Sequence, residues 1–364
     1  MLAKESRRLA YLYGVAETPP HLLLWAKADR KTHATHLLLY HMIDVGQVAL
    51  ALWHSVLTEA TRKRFAERVA LDIERAGNLI AFLVALHDFG KASPAFQGLH
   101  PNPQYRQLLT KTGFSFPKQF TKPARHGTIS AALLVPLLHE LLNLDERAAR
   151  QLASMVGGHH GIWPTNLRMR PEDVGEDTWN SVRSALVETL VAVFKPPNTA
   201  QIDASEQARS VLCTLISGFT SVADWIGSME AYFPFEETPL EPREYAERSG
   251  QQAQQALRRL GWLGWQPEGK PVSFREMFAF IEQPNTIQQV IIDRERDLHP
   301  PCLVILEAPT GIGKTEIALY LADRWAQKSG QQGAVRCHAD HRNQQPDVRA
   351  RCRVLGASLS TASG

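Results

Sequence analysis

The sequence predicts a mainly α protein: an all-α domain over residues 1–235, then the first strand–phosphate loop–helix of an α/β domain. Three observations carry this. Residues 1–235 place apolar side chains near a 3.6-residue period and show no convincing strand alternation. Pro and Gly clusters punctuate that stretch at Gly90–Pro94, Pro117–Pro123, Gly157–Pro164 and Lys195–Pro197. Residues 302–325 then change to a short apolar run, a glycine loop and a helical pattern.

Composition narrows the class. At about 150 residues per domain, 364 residues make roughly two domains, enough to bury a core. With 44% hydrophobic and 21% charged residues the chain reads as globular rather than disordered. The longest apolar runs, Leu79–Leu86 and Ala131–Leu138, fall far short of the ~18 residues of a membrane span. The N-terminal MLAKESRRLAYLYG holds no apolar run of signal-peptide length. Neither membrane insertion nor secretion is expected. Four cysteines do not make a disulfide framework, so a cytoplasmic, reducing location is the expectation. The net charge is +3, and five arginines against two aspartates within 334–364 account for all of it. Bulk charge therefore points to no nucleic-acid partner; only a local groove could.

Along the chain, Leu37, Tyr40, His41, Asp44, Val48 and Leu52 recur at helical spacing, as do apolar positions from Leu79 to Leu86. Residues 236–300 read as a helical connector that includes Pro239, Pro242 and a Gln-rich helix over Gln251–Leu260. Cys302–Leu306 reads as a buried strand and Glu316–Trp325 as a helix. Residues 334–364 carry no apolar period and no strand, and read as a disordered or weakly structured tail. Its Cys337, His338, His341 and Cys352 lack the second close cysteine pair of a metal knuckle. Its arginines could bind phosphate non-specifically. The eight tryptophans are too scattered to read as a base-stacking platform.

The chemistry lies in an ordered set of side chains in the first domain. The set runs His41, then adjacent His87 and Asp88 with Lys91 three residues on, then His126, adjacent His159 and His160, and Asp224. Imidazole and carboxylate together suit Mn, Fe, Co, Ni or Zn, and a carboxylate can bridge two ions. Two ions about 4 Å apart can activate water and hold a phosphate oxygen during in-line displacement. Glycines around His126 and around His159–His160 are expected to turn the backbone so that these side chains face inward. Lys91 could meet a scissile phosphate as a point charge. Singly, each feature has a bland explanation: a helix cap, a turn, a solvated lysine. His33, His36 and His54 read as bystanders. The ordered set within one helical domain favours a metal centre.

Six stretches together resemble a known family. They are Leu24-Trp25-Ala26-Lys27-Ala28, Tyr40-His41-Met42-Ile43-Asp44-Val45, His87-Asp88-Phe89-Gly90-Lys91-Ala92, Arg125-His126-Gly127, Gly158-His159-His160-Gly161 and Asp224-Trp225-Ile226-Gly227. They resemble the HD metal-dependent phosphohydrolase superfamily, and more narrowly the HD nuclease domain of the CRISPR-associated nuclease–helicase of type I systems. The resemblance covers roughly residues 10–330. It implies one ion on His41, His87, Asp88 and Asp224, and a second on Asp88, His126, His159 and His160, with Asp88 as the bridge. It also implies two divalent transition-metal ions (Mn, Fe, Co or Ni, with Mg a further candidate) and catalytic roles for Asp88 and Lys91. The implied reaction is hydrolysis of single-stranded DNA in antiviral defence, with recruitment by an RNA-guided surveillance complex. The same ligands would serve a phosphohydrolase of nucleotides or small phosphate esters, and an inactive remnant is the third reading.

Glu307–Glu316 forms a second motif, with Thr310, Gly311 and Gly313 in the loop and Lys314 and Thr315 at the helix start. Backbone N–H groups of such a loop cradle phosphates; Lys314 would reach the β/γ-phosphates and Thr315 a Mg²⁺. Ala308 stands where the common pattern has Gly, a form that resembles superfamily 2 helicases. Phe278 and Pro284–Gln289 resemble their adenine-sensing segment, with Gln288 as the amide that reads the base. A helicase also needs an acidic box and a second lobe. No Asp–Glu pair follows Thr315. The expectation is a C-terminally truncated RecA-like lobe over 301–333, with ATP/Mg²⁺ binding weak and the motor non-functional.

Overall fold

The computed structural model describes residues 18–29, 34–118, 124–198, 206–236, 238, 240–263, 272–298, 304–309, 311–329, 335–336 and 353–354. It divides into two compact units, Met1–Ala256 and Leu257–Gly364.

In the first unit a 3-10 turn (Pro20–Leu22) leads into β1 (Trp25–Ala28), which pairs antiparallel with β2 (Thr35–Leu37). Helices α1 (Leu38–Ser55), α2 (Glu59–Arg68) and α3 (Ile73–Ala85) follow. A 3-10 turn over Leu86–Lys91 leads to α4 (Pro94–Gln97) and α5 (Pro103–Lys111). Then come α6 (His126–Leu142), α7 (Glu146–Gly157), α8 (Pro171–Val174), α9 (Thr178–Phe194), α10 (Glu206–Gly227) and α11 (Pro242–Arg259). The mainly α expectation holds. The β1–β2 hairpin was not expected. Its strands of four and three residues are too short to register as a pattern, and Trp25, Ala26, Thr35, His36 and Leu37 are all buried, so no in–out alternation marks them.

Helix α1 is the axis of this unit. It packs against α3 and α10 and is buried on nearly every side from Leu38 to Trp53, as a helix apolar all round must be. Two of its polar groups, His41 and Asp44, are nevertheless 0% exposed, and buried polar groups need partners. Asp44 has them. It lies 2.8 Å from His36 Nε2 and accepts from the Tyr245 hydroxyl at 3.0 Å and the Ser249 hydroxyl at 2.6 Å. The Tyr245 ring stacks on Tyr40 with centroids 3.9 Å apart, which fastens α11 to α1. His36, read from sequence as a bystander, is 1% exposed and belongs to this network. Asp44→Ala strands these buried donors and is expected to cost about 3 kcal/mol, read as a lower urea midpoint at unchanged slope.

In the second unit, α12 (Phe274–Met277), α13 (Thr286–Arg294) and α14 (Lys314–Ser329) are described. Phe274, Phe278 and Tyr320 form a small apolar core with Met277, Ile281, Ile292 and Leu319 around it. The helix expected at Glu316–Trp325 is present within α14. Of the strand expected at Cys302–Leu306, the described residues 304–306 run as irregular chain and Ile305 is 74% exposed. A buried strand needs a hydrogen-bonding neighbour, and none lies beside it among the described residues. Cys302, Leu303 and Thr310 lie outside the described residues. Residues 335–336 and 353–354 pair as antiparallel β3 (Val335–Arg336) and β4 (Arg353–Val354), where no strand was expected; two residues are too few to leave a pattern. Among the described residues no helix is long and apolar enough to cross a membrane.

Candidate metal centre

Every predicted ligand stands at the end of an element. His41 is in the first turn of α1, His87 and Asp88 lie in the turn after α3, and His126 opens α6. His159 and His160 follow α7, and Asp224 is in the last turn of α10. Adjacent side chains on a regular α-helix do not face each other. The turn after α3 removes that obstacle: Asp88 has φ −99° and ψ 15°, and its Oδ2 comes within 3.3 Å of His87 Nε2.

The structure brings all seven residues together. Asp88 divides its carboxylate between two sides. Oδ2 is 3.1 Å from His41 Nε2 and 3.3 Å from His87 Nε2. Oδ1 is 3.3 Å from His126 Nε2 and 3.7 Å from His159 Nε2. Asp224 Oδ1 lies 3.5 Å from the Nε2 atoms of both His41 and His87. His160 Nε2 is 3.2 Å from His126 Nε2. Donors about 2.1 Å from a shared ion stand roughly 3.0–3.4 Å apart, so these spacings suit coordination. Among the described residues three groups place their donor atoms within 4.8 Å of one another: His41, His87 and Asp88; His87, His159 and Asp224; His126, His159 and His160. The Nε2 atoms of His41, His87 and His159 and Oδ1 of Asp88 are buried without a well-formed hydrogen bond. Such orphaned inward donors call for a cation, and nitrogen with carboxylate oxygen is a transition-metal donor set.

Two imidazoles are oriented by the same device. Nδ1–H of His87 donates to the Val84 carbonyl at 2.9 Å, and Nδ1–H of His159 donates to the Val156 carbonyl at 3.0 Å. Each carbonyl lies three residues back and turns Nε2 inward. Electrostatics then separates the histidines. Burial, helped by the charge of Lys27, lowers His41 to about 4. Burial also lowers His126 to about 4 and His159 to about 3, so all three are neutral at neutral pH. Burial acts the same way on His87, but Asp88 and Asp224 outweigh it and raise His87 to about 9. Burial opposes the charge of both carboxylates. Lys91 and His87 overcome it at Asp88, and His41 and His87 at Asp224, holding both well below the usual carboxylate range.

Lys91 faces inward. It is 8% exposed, with Nζ 2.7 Å from Asp88 Oδ2 and 3.1 Å from the Ala26 carbonyl. Gln97 is fully buried and joins this lysine's segment to β1, donating to the carbonyls of Lys91 at 2.8 Å and Trp25 at 2.9 Å. Ser130 of α6 donates to the His87 carbonyl at 2.9 Å and accepts from Gly90 N–H at 2.7 Å. Ser221 of α10 donates to the His159 carbonyl at 2.7 Å. Gln97, Ser130 and Ser221 carry no sequence signal of their own.

The glycines serve a different end from the one expected. A Cβ on Gly127 would stand 2.4 Å from the Gly157 carbonyl oxygen, and one on Gly157 would stand 2.3 Å from that of Gly127. These two let α6 and α7 touch backbone to backbone, which carries His126 toward His159. Of the glycines beside His126 and His159–His160, Gly161, at φ 82°, is the one that uses the left-handed freedom of glycine.

In the second unit the phosphate loop precedes α14, which starts at Lys314. Lys314 Nζ donates to the carbonyls of Ala308 at 2.5 Å and Pro309 at 2.8 Å. Asn285 caps α13 and donates through Nδ2 to the Ile312 carbonyl at 2.9 Å. Gln288 is 3% exposed, accepts from Asn285 N–H at 3.0 Å and stands against Gly313, where a Cβ would be 2.2 Å from its Nε2. Gln288, Gly313 and Lys314 are thus gathered at the loop. Phe278 packs into the small core rather than beside it.

A family model for the HD domain of Cas3 matches residues 25–233, more than half of the chain. The chain belongs to the Cas3 HD-domain family. It is 34% identical over 309 residues to the CRISPR-associated endonuclease/helicase Cas3 of Thermus thermophilus, covering 82% of this chain and 32% of that protein. It is 28% identical over 345 residues to the CRISPR-associated nuclease/helicase Cas3 of Streptococcus thermophilus, covering 85% and 35%. Among solved structures, a CRISPR-associated protein superposes with a TM-score of 0.64 at 35% identity, covering 89% of this chain and 36% of that one. T. fusca Cas3 with AMPPNP superposes with a TM-score of 0.59 at 26% identity, covering 86% and 35%. The chain therefore spans about a third of the length of the curated Cas3 relatives it matches. All seven gathered side chains lie within the Cas3 HD match.

Proposed function

We propose that this chain is a metal-dependent nuclease that hydrolyses single-stranded DNA in CRISPR antiviral defence. The observation that carries the proposal is the divided Asp88 carboxylate, with His41 and His87 on one oxygen and His126 and His159 on the other. On this reading one ion takes His41, His87, Asp88 and Asp224, and the other takes Asp88, His126, His159 and His160. Two divalent cations would supply an activated water and charge stabilisation at the phosphate. The chain's own residues do the rest. Val84 and Val156 carbonyls accept from Nδ1 of His87 and His159 and so turn both Nε2 atoms inward. Asp88 bridges. Lys91 balances Asp88 and offers an ammonium to an incoming phosphate oxygen. Family membership supports an RNA-guided surveillance complex as the partner that delivers DNA. In the second unit, Gln288, Gly311, Gly313, Lys314 and Thr315, with Thr310, stand as the proposed nucleotide contacts, of weak affinity.

The test is hydrolysis by the full chain loaded with Mn²⁺ or Ni²⁺. Single-stranded DNA is expected to be degraded and the reaction to stop on chelation, with nucleoside triphosphates left intact. Hydrolysis of nucleotides alone would move the assignment to a small-molecule phosphohydrolase. Failure to retain either cation would leave an inactive remnant.

A further inference from the structure

Strand β1 carries a bulge. Trp25 pairs with Leu37 and Lys27 with His36, so Ala26 is an extra residue in the ladder. Bulges re-aim side chains and are common beside functional sites. Here two consecutive residues address the two carboxylates. The Ala26 carbonyl accepts from Lys91, which pairs with Asp88 at 2.7 Å. Lys27 Nζ donates to Ser228 Oγ, and Ser228 donates to Asp224 Oδ1 at 2.8 Å.

Asp224 needs such support. It stands in the last turn of α10, where the negative end of the helix dipole disfavours a carboxylate. Its side chain is 15% exposed against 3% for Asp88, so it has room to swing toward water. A hydroxyl has one proton to give. With an ammonium donating to its oxygen, Ser228 turns that proton to Asp224.

We propose that Lys27 is a positioning residue which, through Ser228, holds the Asp224 carboxylate toward His41 and His87. This rests on the metal-centre reading above. Its sign separates it from a simple charge effect. An ammonium beside a cation site repels cations, so removing it as a charge alone tightens metal binding. Removing a support for a ligand loosens it, by ~10-fold or more.

The experiment is a Mn²⁺ titration of the full chain followed by electron paramagnetic resonance, with far-UV circular dichroism on each variant. Lys27→Met and Ser228→Ala are each expected to weaken Mn²⁺ binding by ~10-fold. The double variant is expected to be no weaker than the singles, because the two groups act in series. Lys27→Met binding Mn²⁺ as tightly as wild type, or more tightly, overturns the inference, as do effects that multiply in the double variant. If Lys27→Met does not fold, Ser228→Ala decides: unchanged Mn²⁺ affinity there overturns it. A wild-type chain that holds no Mn²⁺ overturns the metal-centre reading itself and this inference with it. Wild-type binding with insensitive variants removes only the role of Lys27.

Discussion

Asp88→Ala is expected to abolish Mn²⁺ loading and to lower single-strand hydrolysis by ~10³-fold or more, since several kcal/mol of metal-derived stabilisation are lost together. The Asp88 carboxylate faces both sides of the centre. Its Oδ2 serves His41 and His87, and its Oδ1 serves His126 and His159. A cation on either side loses its shared oxygen. The substitution also leaves buried positive charge behind, because Lys91 Nζ sits 2.7 Å from Asp88 Oδ2. Breaking a buried pair from one side costs about 3–5 kcal/mol. Urea unfolding in chelator is expected to show that loss in Asp88→Ala. Most of it should return in Asp88→Ala/Lys91→Met, where the stranded ammonium is gone, while metal binding and hydrolysis stay absent. An Asp88→Ala chain that still carries two equivalents of Mn²⁺ would sink the bridging role.

The second large effect is structural. Gly90→Ala would put a Cβ 2.1 Å from the His126 carbonyl oxygen and 2.4 Å from the Ser130 backbone nitrogen. Both neighbours are backbone, so neither can rotate away. The turn that carries His87 and Asp88 must lift from the start of α6. Overpacking of this kind costs about 3 kcal/mol, and it separates Asp88 from His126. Thermal unfolding and Mn²⁺ titration should therefore fall together. Gly161→Ala is the control: nothing lies within 4 Å of its Cβ position, and the cost is the left-handed backbone alone, about 1 kcal/mol. Equal losses in the two variants would contradict the close-approach account.

The helical class was legible in the chain, and so was the set of seven side chains that the structure gathers at one place. Period near 3.6 marks helices whatever they pack against. Imidazole and carboxylate are rare enough at ordered intervals to stand out as a set. The phosphate-loop helix was legible for the same reason: its glycines, lysine and threonine come in a fixed order. The β1–β2 hairpin was not, because both strands are short and buried. Nor was the role of His36, which looks like any surface histidine until Asp44, Tyr245 and Ser249 are seen around it.

What the amino-acid order determined by itself is which chemical groups are available and on what kind of element each rides. That Asp88 shares its two oxygens, that Val84 and Val156 turn two imidazoles inward, and that Lys27 reaches Ser228 were decided only by tertiary structure. The physical reason is that backbone carbonyls, serines and lysines occur everywhere in sequence. Their function comes from hydrogen-bonding distance between segments far apart in the chain, 201 residues for Lys27 and Ser228, and nothing local encodes that distance.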